Sequence, residues 1–328
     1  MSTAGTDPAE AGWQAALDRF VPVPAAHARP ELDATAARHL LRCSPRVWAL
    51  LTDGGLPARP APAGERAGER YDGRDLFNLA VHSGSRTSVP EVALSLALRF
   101  ARQDLRHWAR ERDWELRTTL TCLRHRGEGH WQAWPPGSYD TPAPAPAPRH
   151  WSDPGAVQTL RHQVRTRGVH ARLESPRLRD GIADALARPL RYVRMPAAVR
   201  ADADWMAERG LVDCVSGTLA LARRLAAAGH EVRGRTGWLV GPQVTAHTWL
   251  DVRDDDGRWK SVDVAHHHLA RTLFGPDAVA PEAFAGSRPD RLVPGTAPVG
   301  EEPFTHRCLT APADRTCPID CQISAASR

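Results

Sequence analysis

The run LVDCVSGTLALARRL, residues 211–225, sets one thiol where a helix is expected to begin. Asp213 suits an N-cap, and Leu219, Leu221, Ala222 and Leu225 recur behind it at helical spacing. Cys214 then falls in the first turn, where unpaired backbone N–H groups and the positive end of the helix dipole favour a thiolate. Single cysteines in large intracellular proteins are mostly structural filler, so the rest of the chain has to decide whether this one is chemical.

Downstream, the helix is predicted to stop at Gly229 and a strand to run from Glu231 to Val240. Gly241-Pro242 then turns the chain into QVTAHTWLDVRDDDGRWKSVDV, residues 243–264. Val244, Ala246, Thr248, Leu250 and Val252 make one apolar face of a strand, leaving His247, Trp249 and Asp251 on the other. In the next strand Trp259, Ser261 and Asp263 alternate with Lys260, Val262 and Val264. A three-residue loop of Asp255-Asp256-Gly257 with a left-handed glycine would place Asp263 diagonally beside His247; a two-residue loop would put them on opposite faces.

Thiolate, imidazole and carboxylate are the parts needed for acyl transfer through a thioester. The order Cys214, then His247-x-Trp249-x-Asp251, then Trp259-x-x-x-Asp263 resembles the transglutaminase-like superfamily, a papain-like branch of cysteine enzymes, over about residues 170–275. The stretches RPLRYV, AAAGHEVRGRTG and AHTWLDV match that family's surroundings as well. The resemblance implies an α+β fold in which the Cys214 helix packs on an antiparallel sheet, with Cys214 as nucleophile, His247 as base and Asp263 as its orienting carboxylate. Asp251 is the rival orienter. The Cys214 N–H would serve the oxyanion, with Tyr192 or Trp205 as second donor and Trp249 lining the site. Family members commonly carry proline after the aspartate, whereas Val264-Ala265-His266-His267-His268 follows here. Successive residues on a strand cannot converge on one ion, so these histidines are expected to be exposed or site-lining. No cofactor and no bound metal are expected.

With 328 residues and 42 % hydrophobic content the chain can build one large domain or several small ones. Its net charge is +5, but Lys260 is the only lysine and the arginines are interspersed with acids, which reads as a solvated surface. The N-terminus lacks a basic start and an apolar core, and no apolar run is long enough to span a membrane, so a cytoplasmic protein with free thiols is expected.

Residues 1–30 read as a flexible lead-in. Residues 31–85 read as a helix-turn-helix (ELDATAARHLL, then Ser44-Pro45 to Gly54-Gly55), a hairpin wing and a third helix from about Asp72. This resembles the winged helix of the MerR and excisionase families, but Arg46-Val-Trp-Ala-Leu-Leu-Thr52 offers few base-reading groups, so nucleic acid is not expected as the main partner. Residues 86–134 should hold a helix from the Ser88–Glu91 capping box to about Arg112, with Val92, Leu96 and Phe100 on its apolar side, then a β-hairpin returning through GEG with Cys122 in its core. Residues 135–150 read as a Pro/Ala-rich linker, 151–300 as the catalytic domain and 301–328 as a Cys-containing tail. His306, Cys308, Cys317 and Cys321 are soft ligands in that tail, but without Cys-x-x-Cys spacing a surface tail is the plainer reading.

The expected activity is amide-bond formation through a Cys thioester in specialised-metabolite biosynthesis such as antibiotic assembly, from a small, peptidic or carrier-bound acyl donor to an amine. Hydrolysis of a peptide or amide, with water as acceptor, is the alternative enzyme. A DNA-binding regulator with a ligand-sensing transglutaminase-like domain is the alternative outside catalysis.

Overall fold

A computed structural model describes residues 8–61, 67–123, 129–139, 147–241, 244–308, 317 and 319–327. The fold is α+β with mainly antiparallel sheets. Among the described residues no helix is long and apolar enough to cross a membrane. The chain forms two compact units, Met1–Arg99 with Arg188–Ser216 and Ala265–Val279, and Phe100–Ala187 with Gly217–Val264 and Ala280–Arg328.

In the first unit local signals place the elements. Asp33, Ser44 and Asp72 each accept a backbone N–H and so cap helices Ala34–Leu41, Pro45–Asp53 and Gly73–Ser83. A short wing of Arg59–Pro60 and Glu69–Asp72 lies between the last two and joins the strand Pro30–Asp33 in a three-stranded sheet. Residues 31–33 are thus strand where a helix was expected: Asp33 caps the helix and ends the extended backbone before it. The exposed positions of Pro45–Asp53 are Pro45, Arg46, Ala49 and Asp53, and Arg46 pairs with Glu10.

The lead-in also departs from expectation. Pro8–Asp18 is a helix, and its Trp13 and Ala16 are buried with Leu41, Leu51 and Leu76, so from residue 8 onward this segment is core and not a flexible lead-in. Its small residues concealed the pattern, since only Trp13 and Leu17 announce an apolar face. The later helix spans only Val89–Leu98, then tightens into 3-10 turns, and it buries Leu94, Ala97 and Leu98 while Leu96 is 45 % exposed. Its N-terminus is held by Glu91, whose carboxylate accepts from the hydroxyls of Ser85 and Ser88 (the latter at 2.6 Å) and from the N–H of Arg86.

Asp75 in this unit is 2 % exposed and accepts the Val23 N–H at 2.8 Å. Burial pushes its carboxyl up to about 7, the Val23 N–H working against and the Asp72 charge adding to the rise. A carboxyl raised above its unfolded value of about 3.9 favours folding in its protonated form; that contribution is whole below about pH 4 and lost as pH climbs through about 7. Asp75→Asn keeps an acceptor for Val23 and removes the titration. Its stability relative to the parent should therefore improve between about pH 5 and pH 8 in urea unfolding, and an unchanged difference across that window would refute the account.

The second unit is built on sheets. Strands Ala285–Gly286, Trp259–Val262, Thr245–Arg253, Val232–Leu239 and Leu292–Pro294 form a five-stranded antiparallel sheet in that order. Glu111–Cys122 lies between Val157–Arg167 and Ile319–Ser327 in a second sheet, and Gly129–Ala133 between Phe304–Cys308 and Arg149–Asp153 in a third. The expected hairpin return is thereby replaced: Glu111–Cys122 and Gly129–Ala133 belong to different sheets, and most of the GEG turn lies outside the described residues. The expected tail supplies strands to both sheets and is no surface appendage. The near end of the Pro/Ala-rich stretch is tied down, with Pro136 bridging to Gly295 and the Gly137 N–H donating to Pro294; residues 140–146 lie outside the described residues.

Lys260 in the five-stranded sheet is 4 % exposed. Its ammonium donates to Asp254 at 2.6 Å and to the Arg172 carbonyl at 2.7 Å, with Asp256 at 3.0 Å. Burial alone would raise the Asp254 carboxyl, but Lys260 and the N–H groups of Glu174, Ser175 and Asp255 together hold it down at about 2. The chain's one lysine is thus spent on an internal ion pair.

Candidate active site

Cys214 is the first residue of the helix Cys214–Ala227. A reciprocal box fixes that start: the Asp213 carboxylate accepts the Ser216 N–H at 2.7 Å, and the Ser216 hydroxyl accepts the Asp213 N–H at 3.0 Å. Cys214 is half-buried, while Val215, Leu221 and Leu225 anchor the helix in the core. Its C-terminus closes with the His230 N–H on the Leu225 carbonyl and Gly229 at φ +86°. Against its flank lies the helix Pro176–Ala187, where a Cβ on Gly181 would meet Leu225 at 3.4 Å and Asp184 pairs with Arg224 at 2.5 Å.

Tyr192 reaches the neighbourhood of Cys214 through a short parallel pairing, Arg191–Tyr192 with Leu211–Val212. Its phenol is pushed well above the ordinary tyrosine range by burial first and then by the Cys214 charge, so it remains a neutral O–H. Trp205 is otherwise engaged: it packs beside Val193, Val199, Met206 and Leu211, with the Arg209 guanidinium 4.2 Å over its ring.

In the second unit the strand register decides the histidine's partner. Leu250 pairs with Val262 and Arg253 with Trp259, and the Asp254 N–H donates to Arg258 around the three-residue loop Asp255-Asp256-Gly257. Gly257 sits at φ +73°, the conformation such a loop requires. That parity brings Asp263 to the face of His247, where Nε2 donates to the carboxylate at 2.6 Å. The histidine side chain is 2 % exposed and the aspartate 14 %, so the pair is shielded from water.

Trp249, fully buried, lies nearly parallel to the His247 ring at 5.9 Å and limits its tilt. The strand Thr245–Arg253 is buried on both faces from His247 to Val252. Asp251 is engaged elsewhere. It accepts from Ser261 at 2.9 Å, Arg235 at 3.0 Å and Arg233 at 3.3 Å, while both guanidiniums also donate to the Tyr139 carbonyl. The two arginines were missed in the sequence, although their place two residues apart on the adjoining strand, opposite Asp251 and Trp249, could have signalled them.

The strand carrying Asp263 stops at Val262, and Val264–Phe274 is a helix. His266, His267 and His268 are accordingly buried residues of a helix and not of the strand on which exposed or site-lining histidines were expected. The Asp263 N–H donates to the Phe284 carbonyl at 2.9 Å, and the helix begins directly after it. Outside this region, Cys122, His306, Cys308 and Cys317 gather metal-type ligand atoms in the second unit.

No protein-family model matches the sequence, and no curated protein is detectably similar to it. A crystal structure described as a "Putative Cysteine Protease from Cytophaga hutchinsonii" is similar over 66 % of this chain and 91 % of that one, at 10 % identity and a TM-score of 0.33. Agreement that loose fixes neither fold family nor activity.

Proposed function

We propose that the protein is a cysteine acyltransferase of transglutaminase-like design that forms an amide bond through a thioester on Cys214. The observation that carries the reading is the shielded His247–Asp263 hydrogen bond of 2.6 Å. With Nε2–H committed to the carboxylate, Nδ1 is the basic nitrogen of His247, the form a general base requires. In the proposed reaction Nδ1 takes the Cys214 proton and the sulfur attacks the acyl carbonyl. The C–S bond forms as the leaving group departs with that proton. An amine then attacks the thioester, gives its proton to Nδ1, and releases the amide and the thiol. The Cys214 N–H at the capped helix start and the neutral Tyr192 O–H are the candidate donors to the oxyanion.

The other thiols support the choice of nucleophile. Cys122, Cys308 and Cys317 are buried. Burial raises the Cys43 thiol, and desolvation by neighbouring groups with the Asp320 and Glu302 charges pushes Cys321, whose surface stays exposed, up to about 11. Incubation with p-nitrophenyl acetate near neutral pH should therefore give one acetyl adduct by intact mass, mapping to Cys214. Acetylation confined to other residues, or none at all, would refute the proposal. Addition of a primary amine should then give more acetamide than hydrolysis; acetate as sole product would replace transfer by hydrolysis.

A further inference from the structure

The second unit holds a cluster that plays no part in acyl transfer. Cys122 ends the strand Glu111–Cys122, His306 and Cys308 lie on the same face of Phe304–Cys308, and Cys317 precedes Ile319–Ser327. One ligand atom from each of the four lies within 4.8 Å of every other. We propose that these residues form a structural zinc site of three thiolates and one imidazole.

The spacing suits the ion. A tetrahedral zinc with Zn–S bonds of about 2.3 Å sets its sulfurs about 3.8 Å apart. Cys122 Sγ and Cys308 Sγ are 3.7 Å apart, and Cys308 Sγ is 3.9 Å from His306 Nδ1. Contraction of the widest pair by at most about 1 Å reaches the tetrahedral spacing. Two backbone bonds set the Cys308–Cys317 end: the Cys317 N–H donates to the His306 carbonyl at 2.7 Å, and the Cys308 N–H donates to Cys317 Sγ at 3.4 Å. An N–H aimed at sulfur stabilises a thiolate.

The surroundings suit it too. Leu120, Trp131 and Trp151 enclose the cluster, and the His306 ring stacks on Trp131 at 4.0 Å. A Cβ on Gly129 would lie 2.0 Å from His306 Nε2, so only glycine leaves room for the ring to present Nδ1 inward. Binding would displace three thiol protons to solvent while His306 coordinates as the neutral imidazole protonated at Nε2; nothing is oxidised or reduced. The ion would join the sheet containing Glu111–Cys122 to the sheet containing Phe304–Cys308. Cys321, grouped with the tail ligands by sequence proximity, is exposed and outside the cluster; Cys122, 186 residues before Cys308, takes its place.

The test uses the full chain. Protein purified from zinc-supplemented cells should carry one zinc per chain by elemental mass spectrometry, and stripping it should lower Tm by several degrees. Cobalt(II) added to the stripped protein should give the sulfur-to-metal charge-transfer absorption and intense visible bands of a tetrahedral thiolate site. Cys308→Ser and Gly129→Ala should weaken or abolish those bands, and Cys321→Ser should leave them intact. Metal-free protein whose cobalt titration shows no charge-transfer band would overturn the proposal even if the variants fail to fold. So would a Cys122–Cys308 disulfide in protein isolated without reductant, or loss of the bands in Cys321→Ser.

Discussion

Cys214→Ala protein should form no acetyl-enzyme with p-nitrophenyl acetate, and its turnover should fall on the order of a million-fold, the scale seen when a triad loses its nucleophile. The loss should be chemical. Cys214 is half-buried at a helix start whose geometry is set by Asp213 and Ser216, neither of which is altered, and alanine is the best helix former. Helical content and Tm should therefore match the parent. Acetyl transfer by the variant at the parental rate would remove Cys214 from the mechanism.

Asp263→Asn should lower the acylation rate by a hundredfold to ten-thousandfold while leaving substrate affinity nearly unchanged. The amide preserves shape but carries no charge to steady the imidazolium, and its NH2 can turn toward Nε2 and draw that nitrogen into the acceptor role. The proton then moves to Nδ1, the nitrogen that the proposed reaction requires as base. Asp251→Asn is the contrasting variant: with Arg233 and Arg235 left without their carboxylate, it should cost stability on the order of 3–5 kcal/mol. If Asp251→Asn folds normally yet abolishes turnover while Asp263→Asn does not, the orienting role belongs to Asp251. Single-turnover acylation and urea unfolding on both variants separate these outcomes.

Features fixed by local chemistry are legible in the sequence. Ser44-Pro45, Asp72 and the Ser88–Glu91 box each announced a helix start by pairing a short polar side chain with nearby N–H groups. The Asp255-Asp256-Gly257 turn fixed the side-chain parity of His247, eight residues before it, and Asp263, six residues after it, because strand periodicity transmits register. Non-local pairing was illegible. Nothing near Glu111–Cys122 marks Val157–Arg167 or Ile319–Ser327 as its neighbours. The strand-to-helix switch after Asp263 was hidden because Val262 and Val264 continue an alternating pattern into residues that are helical. Cys122 is core, as its strand position indicated, but its neighbours His306, Cys308 and Cys317 arrive from the far end of the chain and could not be read beside it.

The internal ion pair of Lys260 has a consequence for the exterior. Its side chain is 3 % exposed and held by Asp254 and Asp256, and the sequence contains no other lysine. A thioester on Cys214, as proposed above, would therefore meet no accessible ε-amine of its own chain. Neither that thioester nor a stray electrophile can build an isopeptide on a lysine side chain, and amine-directed cross-linkers should find no side-chain target on the folded protein.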